Sequence, residues 1–73
     1  MNSVKAFRES LGMKQEEFAK VIGVSTVNYS KKENGLVKFS LNEARQISEH
    51  FHRPIESIFF AFEVSKNESY NKV

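Results

Sequence analysis

The sequence contains no cysteine, no tryptophan and no aspartate, and only one proline and three glycines. Without thiols there can be neither disulfides nor thiolate metal sites. A chain of 73 residues must then hold together by apolar packing alone, and a domain this small buries only about 60% of its unfolded surface. The lack of aspartate excludes Asp-dependent catalytic triads and the usual magnesium sites. There is no glycine-rich phosphate loop and no paired acid–base constellation, so no enzyme activity, cofactor or metal is expected. No apolar run approaches the roughly 18–20 residues of a membrane span. The polar, charged stretch from Met1 to Leu11 lacks the apolar centre of a secretory signal, which places the expected site of action in the cytoplasm.

What is present is a 40% hydrophobic composition rich in phenylalanine, with seven copies, and a net charge of +2. That charge is too small to indicate a polyanionic partner by itself, but its distribution is uneven. Residues 24–42 carry Lys31, Lys32 and Lys38 against Glu33 alone, whereas residues 54–73 carry Glu56, Glu63 and Glu68 against Lys66 and Lys72.

Helical periodicity and its punctuation recur along the chain. Val4, Phe7 and Leu11 predict an apolar stripe on a first helix, ended near Gly12. A second helix is expected over about 15–22, with Glu16 and Glu17 in the first turn, where negative charge suits the helix dipole, and with Phe18, Ala19 and Ile22 on one face. Ser25 is a good N-cap for a third helix reaching about Asn34. Its apolar content is limited to Val27 and Tyr29, so most of its surface must meet water or a polar partner. Ser40 and Glu43 form a capping box for a fourth helix with Leu41, Ala44, Ile47 and Phe51 inward. Pro54 fits the first turn of a fifth, with Ile55, Ile58, Phe59 and Phe62 as its inner face.

The fold expected is all-α: a compact domain of five short helices over 1–64, with 65–73 as a polar, frayed tail. Phe60, Phe62 and Val64 alternate with Ala61 and Glu63, which leaves helix and a short extended segment both open there. Phe59, Phe60, Phe62 and Val64 together are more apolar than one closing helix requires, and the surplus makes them candidates for self-association. His50 and His52 stand two apart and so on different faces of a helix, which is no metal site.

The second and third helices are joined by only Gly23-Val24-Ser25. Ala19 must be small where the third helix crosses it, Gly23 supplies a positive-φ bend, and Phe18, Ile22, Val24 and Tyr29 fill the space between. Two helices held this way form the helix-turn-helix arrangement, whose second member projects outward as a probe for the major groove.

Gln15-Glu16-Glu17-Phe18-Ala19, Gly23-Val24-Ser25 and Glu33-Asn34-Gly35, in this order and spacing, resemble the phage-repressor and Cro-type (XRE) helix-turn-helix family. Arg8, Leu11-Gly12-Met13 and Ile55-Glu56-Ser57-Ile58-Phe59 extend the resemblance over about residues 4–60. It implies that Gln15 bonds a DNA phosphate, that Thr26 and Val27 meet base edges, that Lys31 reaches further into the groove, that Asn34 holds the backbone at the helix end, and that Arg8 pairs with Glu33.

The chemistry of the residues suits those roles. Lysine matches guanine O6 and N7, valine and threonine methyls match the thymine methyl, and Asn28 matches adenine if it points inward. Lys14, Lys32 and Lys38 are candidates for phosphate contacts, which position without specifying. The expected partners are double-stranded DNA and a second copy of the chain, with no membrane and no small-molecule ligand. The expected function is transcriptional repression at a two-fold operator. The alternative is a protein-interaction module, an antitoxin or antirepressor partner, that keeps the fold without reading DNA. Lys32 leaves room for it, since the family usually has an apolar residue at that position.

Overall fold

The computed structural model describes residues 3–60, 63 and 64. Five helices follow one another among them: α1 (Ser3–Ser10), α2 (Gln15–Ile22), α3 (Thr26–Glu33), α4 (Leu41–Phe51) and α5 (Ile55–Ile58). α2 packs on α3 and α4, and α5 packs on α1 and α4.

The helix boundaries are set by local chemistry. Ser25 Oγ accepts the Asn28 amide at 3.1 Å to start α3. Ser40 Oγ accepts from the Glu43 amide at 2.9 Å while Glu43 Oε1 accepts from the Ser40 amide at 3.0 Å, so α4 opens with two orphan donors satisfied. α2 has only half of such a box. Glu17 accepts the Lys14 amide at 2.8 Å, but an ammonium has no lone pair with which to reciprocate. α4 ends at His52, a non-glycine residue with φ 57°.

The core is a chain of aromatic rings that visits every layer. Phe7 of α1 meets Phe51 of α4 edge-on at 5.4 Å, and Phe51 stacks on Phe18 of α2 at 5.3 Å. Phe18 lies 5.5 Å from Tyr29 of α3, Tyr29 lies 6.1 Å from Phe39, and Phe39 lies 5.1 Å from Phe59. Val4, Ala19, Ile22, Ala44, Ile47 and Ile58 fill the space around the rings. Aromatic residues bury large areas per side chain, which is how so short a chain without tryptophan or disulfides acquires a continuous core.

Several expectations need correction. Leu11 follows the end of α1 and is exposed rather than part of its inner stripe. Phe59 is 5% exposed and packs on Phe39, so it belongs to the core and is not free for a second copy. α5 spans only Ile55–Ile58, because Phe59 is already extended at φ −115°. The chain is drawn along Phe39 instead: the Phe39 amide donates to the Glu63 carbonyl at 2.8 Å, and Val64 forms a parallel bridge with Phe39. Val64 packs against the core from there. Phe62 and residues 65–73 lie outside the described residues.

Glu63 is buried and closes the fold. Its carboxylate accepts the Ser3 amide at 3.1 Å and the Phe60 amide at 2.9 Å. The Ser3 hydroxyl lies 2.9 Å from Glu63 Oε1 and 2.5 Å from the Ile58 carbonyl oxygen. A side chain 60 positions away thus satisfies the first turn of α1. Glu63→Ala leaves two backbone donors without an acceptor and is expected to cost about 1–3 kcal/mol. In a domain of this size that lowers the melting midpoint by roughly 4–24 °C. Glu63→Gln, which keeps one acceptor oxygen, should lose less. Thermal unfolding followed by circular dichroism measures both, and an unchanged midpoint for the alanine variant would show that this closure contributes nothing.

Candidate functional site

The turn between α2 and α3 sets the site. Gly23 adopts φ 70° and ψ 31°. Its amide donates to the Lys20 carbonyl at 3.3 Å, and the following amide, of Val24, reaches back to Ala19 at 3.1 Å. This left-handed cap ends α2 with its last carbonyls satisfied. A Cβ on Gly23 would meet nothing within 4 Å, so the demand for glycine comes from the backbone angle and not from crowding.

Beneath the turn lies a buried polar node centred on Glu33, whose side chain is 1% exposed. Arg8 grips it with both arms, Nε to Oε2 at 2.7 Å and Nη2 to Oε1 at 3.2 Å. Tyr29 donates its hydroxyl to Oε2 at 2.7 Å, and Gln15 donates Nε2 to Oε1 at 2.8 Å. Arg8 Nη1 also donates to the Met13 carbonyl at 2.7 Å. Burial alone would raise the Glu33 carboxyl, but the hydrogen bonds from Arg8, Tyr29 and Gln15 outweigh it and hold its pKa below the ordinary value. The bond to Glu33 raises the Arg8 guanidinium. Burial, reinforced by the bond to Glu33, pushes the Tyr29 phenol well above its usual range. The result is a carboxylate and a guanidinium that stay charged and a phenol that stays neutral across the physiological range. The node ties α1, the loop before α2, α2 and α3 into one unit.

With Tyr29 and Glu33 facing inward, the opposite side of α3 faces out. Thr26, Val27, Asn28 and Lys31 are all exposed, Val27 by 65%. Gln15, Thr26, Val27, Ser30, Lys31, Asn34 and Leu36 line an open concavity of about 370 Å³. One ammonium and no carboxylate stand among these residues. Asn28 is exposed but does not line the concavity, and its backbone amide belongs to the Ser25 cap, so it flanks the site. Lys14 and Lys38 are exposed outside the concavity. Asn34 caps the end of α3, its Nδ2 lying 3.4 Å from Ser30 Oγ.

Lys32 is placed otherwise than expected. Its side chain is only 13% exposed, and its ammonium lies 3.0 Å from Glu43 Oε1 and 3.3 Å from the Lys38 carbonyl oxygen. The ammonium is therefore engaged by Glu43, against the capping box of α4, and Lys32 does not stand among the residues lining the concavity. An ion pair at a position that usually packs apolar side chains explains how this departure is accommodated.

Two lining residues were not among the sequence candidates. Ser30 stands one turn after Thr26 and could have been found from helical spacing alone. Leu36 follows α3, and nothing in the local pattern indicates where it points.

A family model described as helix-turn-helix matches residues 4–58, a span that contains the concavity, the node beneath it and the four helices α2 to α5. No curated protein and no solved structure matches the chain.

Proposed function

The chain belongs to the phage-repressor and Cro-type helix-turn-helix family of DNA-binding regulators, and from that premise we propose that it is a repressor acting as a homodimer on a two-fold operator, with α3 inserted in the major groove. The observation that carries this reading is the outward face of α3: exposed, furnished with Lys31 and free of carboxylates, and backed by a buried polar node.

In this reading Thr26, Val27 and Lys31 meet base edges, with Asn28 at the flank. Gln15 gives one amide hydrogen to Glu33 and has a second, with its carbonyl, to offer. Fixed by that bond, it is a pre-positioned donor for a phosphate oxygen. Asn34 serves the same purpose at the other end of α3, and Lys14 and Lys38 add charge at the rim. Phe60, 44% exposed beside the core, is the described residue that best fits a contact with a second copy. The protein acts where the operator is, in the cytoplasm of a bacterial cell or a phage-infected host.

Selection of bound duplexes from random DNA tests the reading. The expected product is a motif of two inverted half-sites about one helical turn apart, roughly 34–36 Å. Absence of any enriched motif overturns specific recognition, and sedimentation showing a monomer both free and on DNA removes the dimer.

Lys38→Ala carries a separate expectation. A rim lysine neutralises a phosphate and carries no sequence information. Its loss should weaken binding to all duplexes alike and reduce the slope of log K against log salt by about 0.9 for each phosphate contact removed. A salt titration of binding, comparing selected and random duplexes, measures this. Loss confined to the selected sequence would place Lys38 on a base.

A further inference from the structure

Leu36 is 76% exposed, the most exposed of the large apolar side chains among the described residues. It does not hang from a loose loop. Gly35, at φ 83°, turns the chain out of α3, and its amide donates to the Lys32 carbonyl at 3.2 Å. The next two amides, of Leu36 and Val37, both return to the Lys31 carbonyl, at 2.9 and 3.3 Å. The backbone that carries Leu36 is thus fastened to the backbone of Lys31. Both side chains line the same concavity, together with Val27.

The chemistry of a duplex narrows what such a side chain can meet. The base edges in the major groove present hydrogen-bond donors and acceptors, and their one apolar group is the thymine 5-methyl. Leucine can give a phosphate nothing, whereas it can bury a methyl. An aliphatic group pre-positioned on the recognition face, beside a lysine and with no carboxylate near it among the lining residues, suits a thymine next to the base that the lysine reaches.

Resting on the DNA-binding reading above, we propose that Leu36 is a specificity-determining residue, which shares the concavity with Val27 and Lys31 and selects thymine through its 5-methyl group. Recognition would then extend past the end of α3 into the turn that follows it, and each half-site would be read by one cation and two apolar contacts together with Thr26.

The experiment replaces each thymine of the selected operator, one at a time, by uracil, which removes the methyl and leaves base pairing unchanged. Affinities are measured by fluorescence anisotropy for the unsubstituted protein and for Leu36→Ala and Val27→Ala. Loss of one buried methyl contact is expected to weaken binding about fourfold. At one thymine of the half-site, the unsubstituted protein should show that loss on uracil. Leu36→Ala, which removes the contact from both half-sites of a symmetric dimer, should show about a sixteenfold loss already on thymine and no further loss on uracil, while still responding to uracil at the thymine read by Val27. Should the uracil effects survive intact in Leu36→Ala, or the operator contain no thymine whose methyl matters, the proposal is overturned although specific binding stands. Failure to select any operator is a different result and removes the DNA-binding reading itself. Because Leu36 is solvent-exposed, Leu36→Ala should unfold at the same temperature as the unsubstituted protein, which separates a lost contact from a lost fold.

Discussion

Glu33→Ala is expected to destabilise the protein by about 3–5 kcal/mol, the usual consequence of removing one partner from a buried ion pair. The carboxylate receives two donors from Arg8, one from Tyr29 and one from Gln15. Without it a largely buried guanidinium and a fully buried phenol lose their acceptor together. Small single domains have total stabilities near the lower end of about 5–15 kcal/mol, so this variant should be largely unfolded at moderate temperature. Urea unfolding measures the change. A loss below about 1 kcal/mol would mean that water reaches the node and replaces Glu33, and the tie between α3 and the rest of the unit would go with it. Glu33→Gln keeps the shape and one acceptor oxygen, and should retain enough fold to be compared in DNA binding.

The same node makes the stability depend on pH in two directions. The Glu33 carboxyl is depressed in the folded state. Its contribution is therefore complete above the unfolded carboxylate value, about 4.3, and is lost as pH falls through the lower folded value. Tyr29 behaves oppositely, because its phenol is raised in the folded state. Above about pH 10, where the unfolded phenol ionises, the folded protein holds a proton that the unfolded chain has released, and stability falls as pH rises further. Urea midpoints over a pH series should decline at both ends, and Glu33→Gln should flatten the acid limb.

What could be read from the sequence was what local chemistry decides. Ser25, Ser40 with Glu43, and Gly23 mark helix ends within three or four residues of the groups they satisfy, and the end of α2 and the starts of α3 and α4 follow from them. The apolar spacing of Phe18, Ala19 and Ile22 likewise reports one helix face. What escaped the sequence depends on residues far apart. Nothing near Glu63 signals that it will satisfy Ser3, and the bond exists only once α1 and α5 are packed. Phe59 reads as the continuation of a helix until Phe39 draws the chain into extended form. Lys32 reads as a third rim cation beside Lys14 and Lys38, since its carboxylate partner stands 11 positions away on another helix. The outward residues of α3 were legible because the helix has so little to bury. Leu36 was not, because its direction is set by Gly35 and by the Lys31 carbonyl and not by any periodicity.

Lys31→Ala is expected to have the largest effect on DNA binding of any single exposed residue. Lys31 lines the concavity, is solvent-exposed and shares that lining with Val27 and Leu36. A major-groove lysine on guanine O6 and N7 contributes about 1–3 kcal/mol of base discrimination. A symmetric dimer inserts two copies, so the operator complex should lose about 2–6 kcal/mol, roughly thirtyfold to more than ten-thousandfold in affinity. The fold should be unaffected, because the ammonium is at the surface and the Lys31 carbonyl that anchors Leu36 and Val37 is backbone. Repeating the selection with the variant distinguishes the kind of contact. If Lys31 reads a base, the preference at one position of each half-site relaxes while the remaining positions keep theirs. If affinity instead falls equally for every duplex, with the motif unchanged, Lys31 is a phosphate contact like Lys38, and base reading must be carried by Thr26, Val27 and the turn beyond α3.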